Sequence, residues 1–240
     1  MGDSAFPRQP IIILVQYYFD YACKLFSSFD SALNPFRSII GRLWSRNAAI
    51  YFAIQSMAAA SLANDFPSMR AVGIQMQKQA FACLQEEIQA KSSQVDDNDE
   101  TFFALLMIGS TTAWHNGGDL GVGHLKAARD HIAGQQQRCQ GQDSVLAKQY
   151  PFFKQCLLYW NMLVAFVAED APLSIDVENT AGPEPDLPLY FVNGQLLSHP
   201  WTGSLSKVLG VFYRTARLIR ATRTSHSTWI SLRLISPSRQ

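Results

Sequence analysis

The sequence predicts an all-α domain, an irregular arrangement of packed helical hairpins with one long proline-rich loop. Apolar residues recur three and four positions apart in most long segments. Strand patterns, in which apolar and polar residues alternate, are scarce. Of the 240 residues, 48% are apolar, which is enough for a substantial core. Only 16% are charged, so much of each helix must be buried against neighbouring helices or a partner.

The first segments alternate apolar runs with turn residues. We expect a first helix over residues 10–29, ended by the turn at 31–35, because a residue before proline is pushed out of the α region. Helix is expected again over 37–65, with a break near Ser45. The apolar residues that follow form a single stripe, which predicts a surface helix lying on a core. The stripe consists of Met69, Val72, Met76, Ala80 and Cys83.

Two polar stretches divide the middle of the chain. Residues 92–100 are rich in acidic side chains and place negative charge at the N-terminus of an apolar helix over 101–114, where the helix dipole favours it. The polar stretch 135–143 precedes a long apolar helix over 145–168. Pro151 either begins that helix or kinks it.

Between these helices lies a glycine turn, within WHNGGDLGVGHLKAARDHI at residues 114–132. Asn116, Gly117 and Gly118 are suited to the left-handed backbone that ends a helix. Asp119 is then predicted to be the N-cap of the next helix. Apolar residues recur at helical spacing after it, at Leu125, Ala128 and Ile132.

Residues 172–200 differ from the rest of the chain, with five prolines and an acidic bias. We predict a long connection without regular structure, ordered as a cover over the helical body because it is too apolar for a solvated tether. Its apolar residues include Leu187, Leu189, Tyr190, Phe191, Leu196 and Leu197. Thr202 is predicted to cap a last helix. The core face expected for that helix consists of Leu205, Val208, Leu209, Phe212, Ala216 and Ile219.

The net charge of +1 conceals an asymmetry. Residues 1–186 carry 13 basic and 19 acidic side chains, a balance of −6, whereas residues 187–240 carry seven basic and no acidic ones. We expect the basic C-terminal helix to pack against the acidic helical body. A nucleic-acid-binding patch is the alternative, but no aromatic or groove-reading motif is interleaved with the arginines.

Cysteine and histidine spacing argues against the common metal sites. His115, His124 and His131 surround the glycine turn with Asp119 and Asp130, but the HExxH spacing is absent and two of the histidines are two helical turns apart. We predict one histidine buried at the hairpin and one exposed. The cysteines are far apart and form no CxxC pair, so core positions in a reducing compartment are expected rather than a zinc ribbon or a disulfide framework. They are Cys23, Cys83, Cys139 and Cys156.

Motifs of known catalytic sites are missing as well. The sequence contains no GxSxG elbow and no P-loop, and the glycines of GDLGVG do not match the dinucleotide-binding fingerprint. Neighbouring carboxylates such as Glu86 and Glu87 point in different directions on a helix. We therefore predict no catalytic, cofactor-binding or metal-binding residue, and a protein that is not an enzyme.

Signals for secretion and for membrane insertion are lacking too. The apolar run at 11–15 is short and has neither a basic segment before it nor a cleavage site after it. The run at 157–168 is interrupted by Asn161 and is too short to cross a bilayer. We expect a cytosolic or nuclear protein that makes no contact with a membrane.

Four segments carry a family resemblance through their order and joint occurrence. In that order they resemble the fungus-specific transcription-factor domain, the regulatory region that follows the binuclear zinc cluster of Zn2Cys6 transcription factors. The resemblance covers residues 10–223. The segments are YYFDYACKLFSSFDSALNPFRSII (17–40), AIQSMAAASLANDFPSM (53–69), the glycine-turn segment (114–132) and HPWTGSLSKVLGVFYRTARLIRATR (199–223).

The resemblance implies a nuclear transcription regulator, represented by its all-α regulatory domain over residues 10–223. Such a domain acts through contacts with other protein domains or the transcription machinery, and a homodimer is one option. Zinc and DNA recognition would belong to an N-terminal cluster absent from this chain. Residues 224–240 lose the family's character and are expected to be a disordered or truncated tail of a fragment. The alternative is a helical scaffold or small-molecule-sensing protein without DNA recognition.

Overall fold

The computed structural model describes residues 8–28, 30–90, 100–138, 145–168, 189–192, 195–203 and 206–235. The fold is all-α, with one antiparallel hairpin in the described part of the chain, formed by β1 (Leu189–Val192) and β2 (Gln195–Ser198). The helices are α1 (Arg8–Asp20), α2 (Pro35–Ser38), α3 (Ile40–Leu43), α4 (Ala48–Leu62), α5 (Met69–Ala90), α6 (Glu100–Ser110), α7 (Thr112–His115), α8 (Val122–Arg138), α9 (Val145–Val167) and α10 (Ser206–Ile235).

The first helix is shorter than predicted. It ends at Asp20 because Tyr21 adopts φ −131° and ψ −57°, outside the helical region, and a 3₁₀ turn over Ala22–Phe26 follows. Helix α2 begins after Asn34, because the Oδ1 atom of Asn34 accepts a hydrogen bond from the Phe36 N–H (3.0 Å) and thereby caps the helix. The predicted single helix over 10–29 was therefore wrong in its second half.

The predicted break near Ser45 is confirmed, because α3 ends at Leu43 and α4 begins at Ala48. The side chain of Asn47 caps α4 by accepting a hydrogen bond from the Ile50 N–H (2.9 Å). Helix α4 is the centre of the fold, and it contacts α1, α5, α6 and α7. It is buried over most of its length and rich in alanine, so neighbouring helices can approach closely.

Helix α5 confirms the predicted apolar stripe. Ala80 is buried and Met69, Val72 and Cys83 pack against the core, while much of the opposite face is exposed. Helix α6 begins at Glu100, one residue before the predicted start, so an acidic residue lies at its N-terminus as predicted. Residues 101 to 109 are all buried.

The helix predicted over 101–114 is interrupted at Thr111. The Thr111 hydroxyl donates to the carbonyl of Met107 (2.6 Å), and the Thr112 hydroxyl donates to that of Ile108 (3.0 Å). Threonine side chains that bind the preceding turn compete with the backbone and bend helices. The chain therefore leaves α6 at Ser110 and turns into α7.

The long helix predicted over 145–168 is confirmed as α9, which runs through Pro151 to Val167. Helix α10 packs on α9 through Tyr213 and Ala216, which contact Ala165. The predicted core face of α10 was partly wrong. Leu209 and Ala216 are buried, but Val208, Phe212 and Ile219 are exposed. Leu205 lies outside the described residues.

Two predictions about the C-terminal region were also wrong. Residues 172–200 were expected to lack regular structure, yet 189–192 and 195–198 form the hairpin, whose β1 packs on α9. Residues 172–188 of that connection lie outside the described residues. Thr202 does not cap α10, because the helix begins at Ser206 and the buried Thr202 hydroxyl has no hydrogen-bond partner in the described part of the chain. Helix α10 extends to Ile235, well into the expected tail, where apolar residues continue at Trp229, Ile230, Leu232 and Leu234.

The expected packing of the basic helix on the acidic body stays a prediction, because several acidic residues of that body, within 169–186, lie outside the described residues. Helix α9, on which α10 lies, contains no acidic residue, and their contact is apolar. Ion pairs between described residues include those of Asp30 with Lys24 and Arg37, and that of Glu100 with Arg46. Arg220 of α10 also donates a hydrogen bond to the backbone carbonyl of Phe166 (2.8 Å). The contact between α10 and α9 thus combines buried apolar side chains with a hydrogen bond to the α9 backbone.

Candidate functional site

The glycine turn joins α7 to α8, but its backbone differs from the prediction. Neither Gly117 nor Gly118 is left-handed; the positive φ in this turn belongs to Gly121, at 66°. Asp119 is not the N-cap, because α8 begins at Val122. Its carboxylate accepts a hydrogen bond from the Gly121 N–H (2.9 Å) and so stabilises the turn that precedes α8.

Gly121 and Gly109 form a close backbone contact between the turn and α6. A Cβ atom added to Gly121 would collide with the carbonyl group of Gly109. A Cβ atom added to Gly109 would collide with the indole of Trp160 and with the Cβ atom of His124. Helix α6 therefore contacts both α9 and the start of α8 so closely that no side chain larger than that of glycine fits at residues 109 and 121.

His115 connects α7 to α4 and α5. Its Nε2 lies 2.7 Å from the Ser56 hydroxyl, and that hydroxyl donates to the carbonyl of Gly73 (3.1 Å). The hydroxyl has one proton, so the imidazole must donate to it, which places the histidine proton on Nε2. Burial lowers the pKa of His115. The neutral ring thus acts as a structural link among three helices.

His124 and His131 lie on α8, and both are half-buried. The ring of His124 packs edge-on against Phe81, with 5.1 Å between centroids, and no described residue forms a hydrogen bond with its buried Nε2. Burial lowers the pKa of His124, although the nearby Asp119 opposes this shift. All three histidines near the turn are half-buried, so the prediction of one buried and one exposed was wrong.

His199 and Cys156 form a buried pair that the sequence analysis missed. His199 Nε2 lies 3.3 Å from Cys156 Sγ, and both residues are almost completely buried. His199 Nδ1 accepts a hydrogen bond from the Trp201 N–H (3.2 Å). Burial lowers the pKa of His199 to about 3, against the effect of a hydrogen bond with the Phe152 backbone. The two residues are 43 positions apart, so no local pattern connects them.

The His199–Cys156 geometry does not resemble an activated nucleophile. Since His199 Nδ1 accepts a proton, the neutral ring carries its own proton on Nε2, the nitrogen that faces the thiol. That nitrogen cannot remove a proton from Cys156. Burial also raises the pKa of the Cys156 thiol well above its usual value. A nucleophilic cysteine needs a lowered pKa and access to substrate, and this thiol has neither.

The remaining cysteines also behave as core residues. Cys23 is buried and Cys83 packs against the core, while Cys139 lies outside the described residues. Burial raises the pKa of both Cys23 and Cys83. Within the described ranges, no three side chains of His, Cys, Asp and Glu come together as a metal-ion site would require.

Two fully buried asparagines differ in their hydrogen bonding. Asn34 accepts from the Phe36 N–H and donates to the Cys23 carbonyl (3.2 Å). Asn161 lies on α9, and neither its Oδ1 nor its Nδ2 has a hydrogen-bond partner among the described residues. A buried amide without partners costs about 1–3 kcal/mol of stability. Asn161 is thus a polar group that the fold leaves unsatisfied.

Replacing Asn161 with leucine is expected to raise the free energy of unfolding by about 1 kcal/mol, because an unpaired amide becomes an apolar side chain of similar size. The matched replacement Asn34→Leu is expected to lower it by about 2 kcal/mol, since it leaves buried backbone groups unpaired. Urea denaturation of both variants measures these changes. Equal destabilisation by the two replacements would show that the Asn161 amide has a polar partner in the folded protein.

The described structure defines an all-α domain whose buried polar groups mostly hold helices together. The chain belongs to the family of fungal-specific transcription factor domains, because it matches that family over residues 13–238. The match extends beyond residue 223, where the sequence analysis placed the end of the domain. Comparison with curated proteins and with solved structures gave no match. None of the helices in the described ranges is long and apolar enough to span a membrane.

Proposed function

We propose that the chain is the regulatory domain of a nuclear transcription regulator of the Zn2Cys6 class and acts by contacts with protein partners rather than by catalysis. The observation that carries this proposal is the family match over residues 13–238. The geometry is consistent with it, because the His115–Ser56 link is structural and Cys156 is not activated. The partners are other domains of the same protein or components of the transcription machinery.

In this proposal, zinc binding and DNA recognition belong to a module outside these 240 residues. A binuclear zinc cluster needs six closely spaced cysteines, whereas this chain has four, far apart in sequence. Two of them, Cys23 and Cys156, are buried in the core. The residues present do not fit that metal centre, and duplex DNA is expected to bind this chain only weakly and without sequence preference.

Tethering the whole chain to an unrelated DNA-binding domain tests the proposal. A reporter with the matching binding sites is expected to change its expression several-fold, up or down, relative to the DNA-binding domain alone. The comparison requires equal abundance and equal nuclear import of the two proteins. Unchanged reporter expression under those conditions would contradict a role in transcription.

A second candidate function, sensing of a small molecule, is favoured by one observation. Asn161 offers both a donor and an acceptor in an apolar interior, and both are unpaired. Binding sites for small molecules typically combine an apolar lining with a few polar groups of this kind. The Asn161→Leu replacement distinguishes the candidates, because a sensor would lose its response to the effector, whereas a domain that acts by surface contacts would not.

A further inference from the structure

Apolar side chains are exposed along one side of α10. Val211 is 53% exposed, Phe212 50% and Leu218 66%. Because a helix advances about 100° per residue, these side chains share one sector with Val208 and Ile219, which are also exposed. The face of α10 that packs on α9 lies in a different sector. Helix α10 therefore has two apolar faces, and no described element covers the second of them.

Helices α9 and α10 run in the same direction. Trp201, in the turn before α10, contacts Tyr159, with 5.4 Å between ring centroids. Further along both helices, Ala216 packs with Ala165. Near the end of α9, Arg220 donates to the Phe166 carbonyl. Positions later in α10 thus meet positions later in α9, as in a parallel pair.

In a parallel pair, the exposed sector of α10 lies on the same side as the exposed residues of α9. Leu163 and Phe166 of α9 are exposed. At 100° per residue, both lie to one side of the α9 face that contains Ala165, and in a parallel pair this is the side on which Phe212 and Ile219 lie. We call Leu163, Phe166, Val208, Phe212 and Ile219, together with Val211 and Leu218, the outer surface. Seven side chains about half exposed amount to on the order of 500 Å², a size that marks an interaction site.

The charge around the outer surface indicates the chemistry of its partner. Helix α9 contains two basic residues and helix α10 contains six, and neither helix contains an acidic residue. Arg214 and Arg223 are exposed and border the apolar sector of α10 on its two sides. A second copy of this chain would place like charges together. A partner with carboxylates beside an apolar face complements both the arginines and the apolar sector.

We propose that the outer surface binds an amphipathic acidic helix of another protein domain. The apolar residues of that helix, spaced three and four apart, lie on Phe212 and Ile219, and its flanking carboxylates pair with Arg214 and Arg223. This inference rests on the proposed function, because it names the class of partner through which a regulatory domain would act. The binding itself is measured without any transcription assay, so either idea can fail alone.

The test uses the full 240-residue chain and a labelled 18-residue helical probe with leucines at positions i, i+3, i+4 and i+7 and glutamates on both flanks. Fluorescence anisotropy is expected to give a micromolar Kd at low salt, weakening at least threefold at 0.3 M salt. The same peptide with lysines in place of glutamates is expected to bind at least tenfold more weakly. Equal binding of the two peptides, or binding of neither, would overturn the proposal.

Matched variants locate the binding. The double replacement Phe212→Ser and Ile219→Ser is expected to weaken the Kd at least tenfold, whereas Leu25→Ser, at a residue 65% exposed on the 3₁₀ turn, leaves it unchanged. The charge reversal Arg214→Glu with Arg223→Glu is expected to restore binding to the lysine peptide. Circular dichroism confirms that each variant is folded.

Two results would assign the surface to another occupant and so overturn the proposal. Concentration-dependent dimerisation of the chain that is lost in the Phe212→Ser, Ile219→Ser variant would identify a second copy. Failure of the acidic peptide to bind until the acidic residues within 169–188 are changed to amides would identify that segment of the same chain.

Discussion

Replacing Gly121 with alanine is expected to lower the free energy of unfolding by about 3 kcal/mol. Roughly 1 kcal/mol arises because alanine disfavours the positive φ of 66° at this position. The larger part arises because the new methyl group would collide with the Gly109 carbonyl, so the start of α8 must move away from α6. In a domain of this size the melting temperature would fall by about 10 °C.

Gly123→Ala is the matched control, since it lies two residues further along, on the exposed side of α8 with nothing near its added Cβ atom. Alanine favours helix over glycine by up to about 1 kcal/mol, so this variant is expected to be as stable as the parent or more so. Thermal and urea denaturation of both variants provide the measurement. If the melting temperature of the Gly121→Ala variant equals that of the parent protein, the close contact between the turn and α6 is absent.

Gly109→Ala probes the same contact from α6 and is expected to destabilise the domain by about 1–3 kcal/mol through its collision with Trp160 and His124. The double variant Gly109→Ala, Gly121→Ala should cost less than the sum of the two single changes. Once one methyl group has separated the helices, the second meets less resistance, and such neighbouring changes are not additive.

Acidification is expected to destabilise the domain through His199. Its pKa is about 3 in the folded protein and about 6.5 in the unfolded chain. Above pH 6.5 the ring is neutral in both states, so the stability is fully present. As the pH falls toward 3, only the unfolded chain binds the proton, and stability is lost at about 1.4 kcal/mol per pH unit, approaching roughly 5 kcal/mol.

The measurement compares urea denaturation at pH 7 and pH 5, a range above the titration of ordinary carboxylates. His199 alone should contribute a loss of about 2 kcal/mol between these values. His115 and His124 act in the same direction, because burial lowers their pKa values as well. The His199→Gln variant is expected to be less stable at pH 7 but to lose less stability on acidification. Equal losses in parent and variant would exclude His199 as the group responsible.

Local patterns in the sequence determined most of the helices and the family. The stripe along α5 has a period of about 3.6 residues, which is visible without any knowledge of the partner, whereas α6 and α9 are indicated by the length of their apolar runs. The four ordered segments carried the family resemblance, which the match over 13–238 confirms.

Tertiary structure decided which face of a helix is buried and which polar groups meet. Helix α10 has apolar residues in two sectors, and only its contact with α9 makes Tyr213 and Ala216 core residues while Phe212 and Ile219 remain exposed. Of the glycines in the turn, only Gly121 has a positive φ, and it is also the one that lies against the Gly109 carbonyl. The periodicity of apolar residues in the sequence indicates that a helix has an apolar face, but it does not indicate which element packs on that face.

The candidate site shows the same limit most clearly. His199 and Cys156 are brought together by the packing of the segment before α10 onto α9, and the proton on His199 Nε2 is fixed by the N–H of Trp201. Whether a histidine beside a cysteine is a base or a buried donor depends on that hydrogen bond and on burial. Both are properties of groups distant in sequence, so they exist only once the chain has folded.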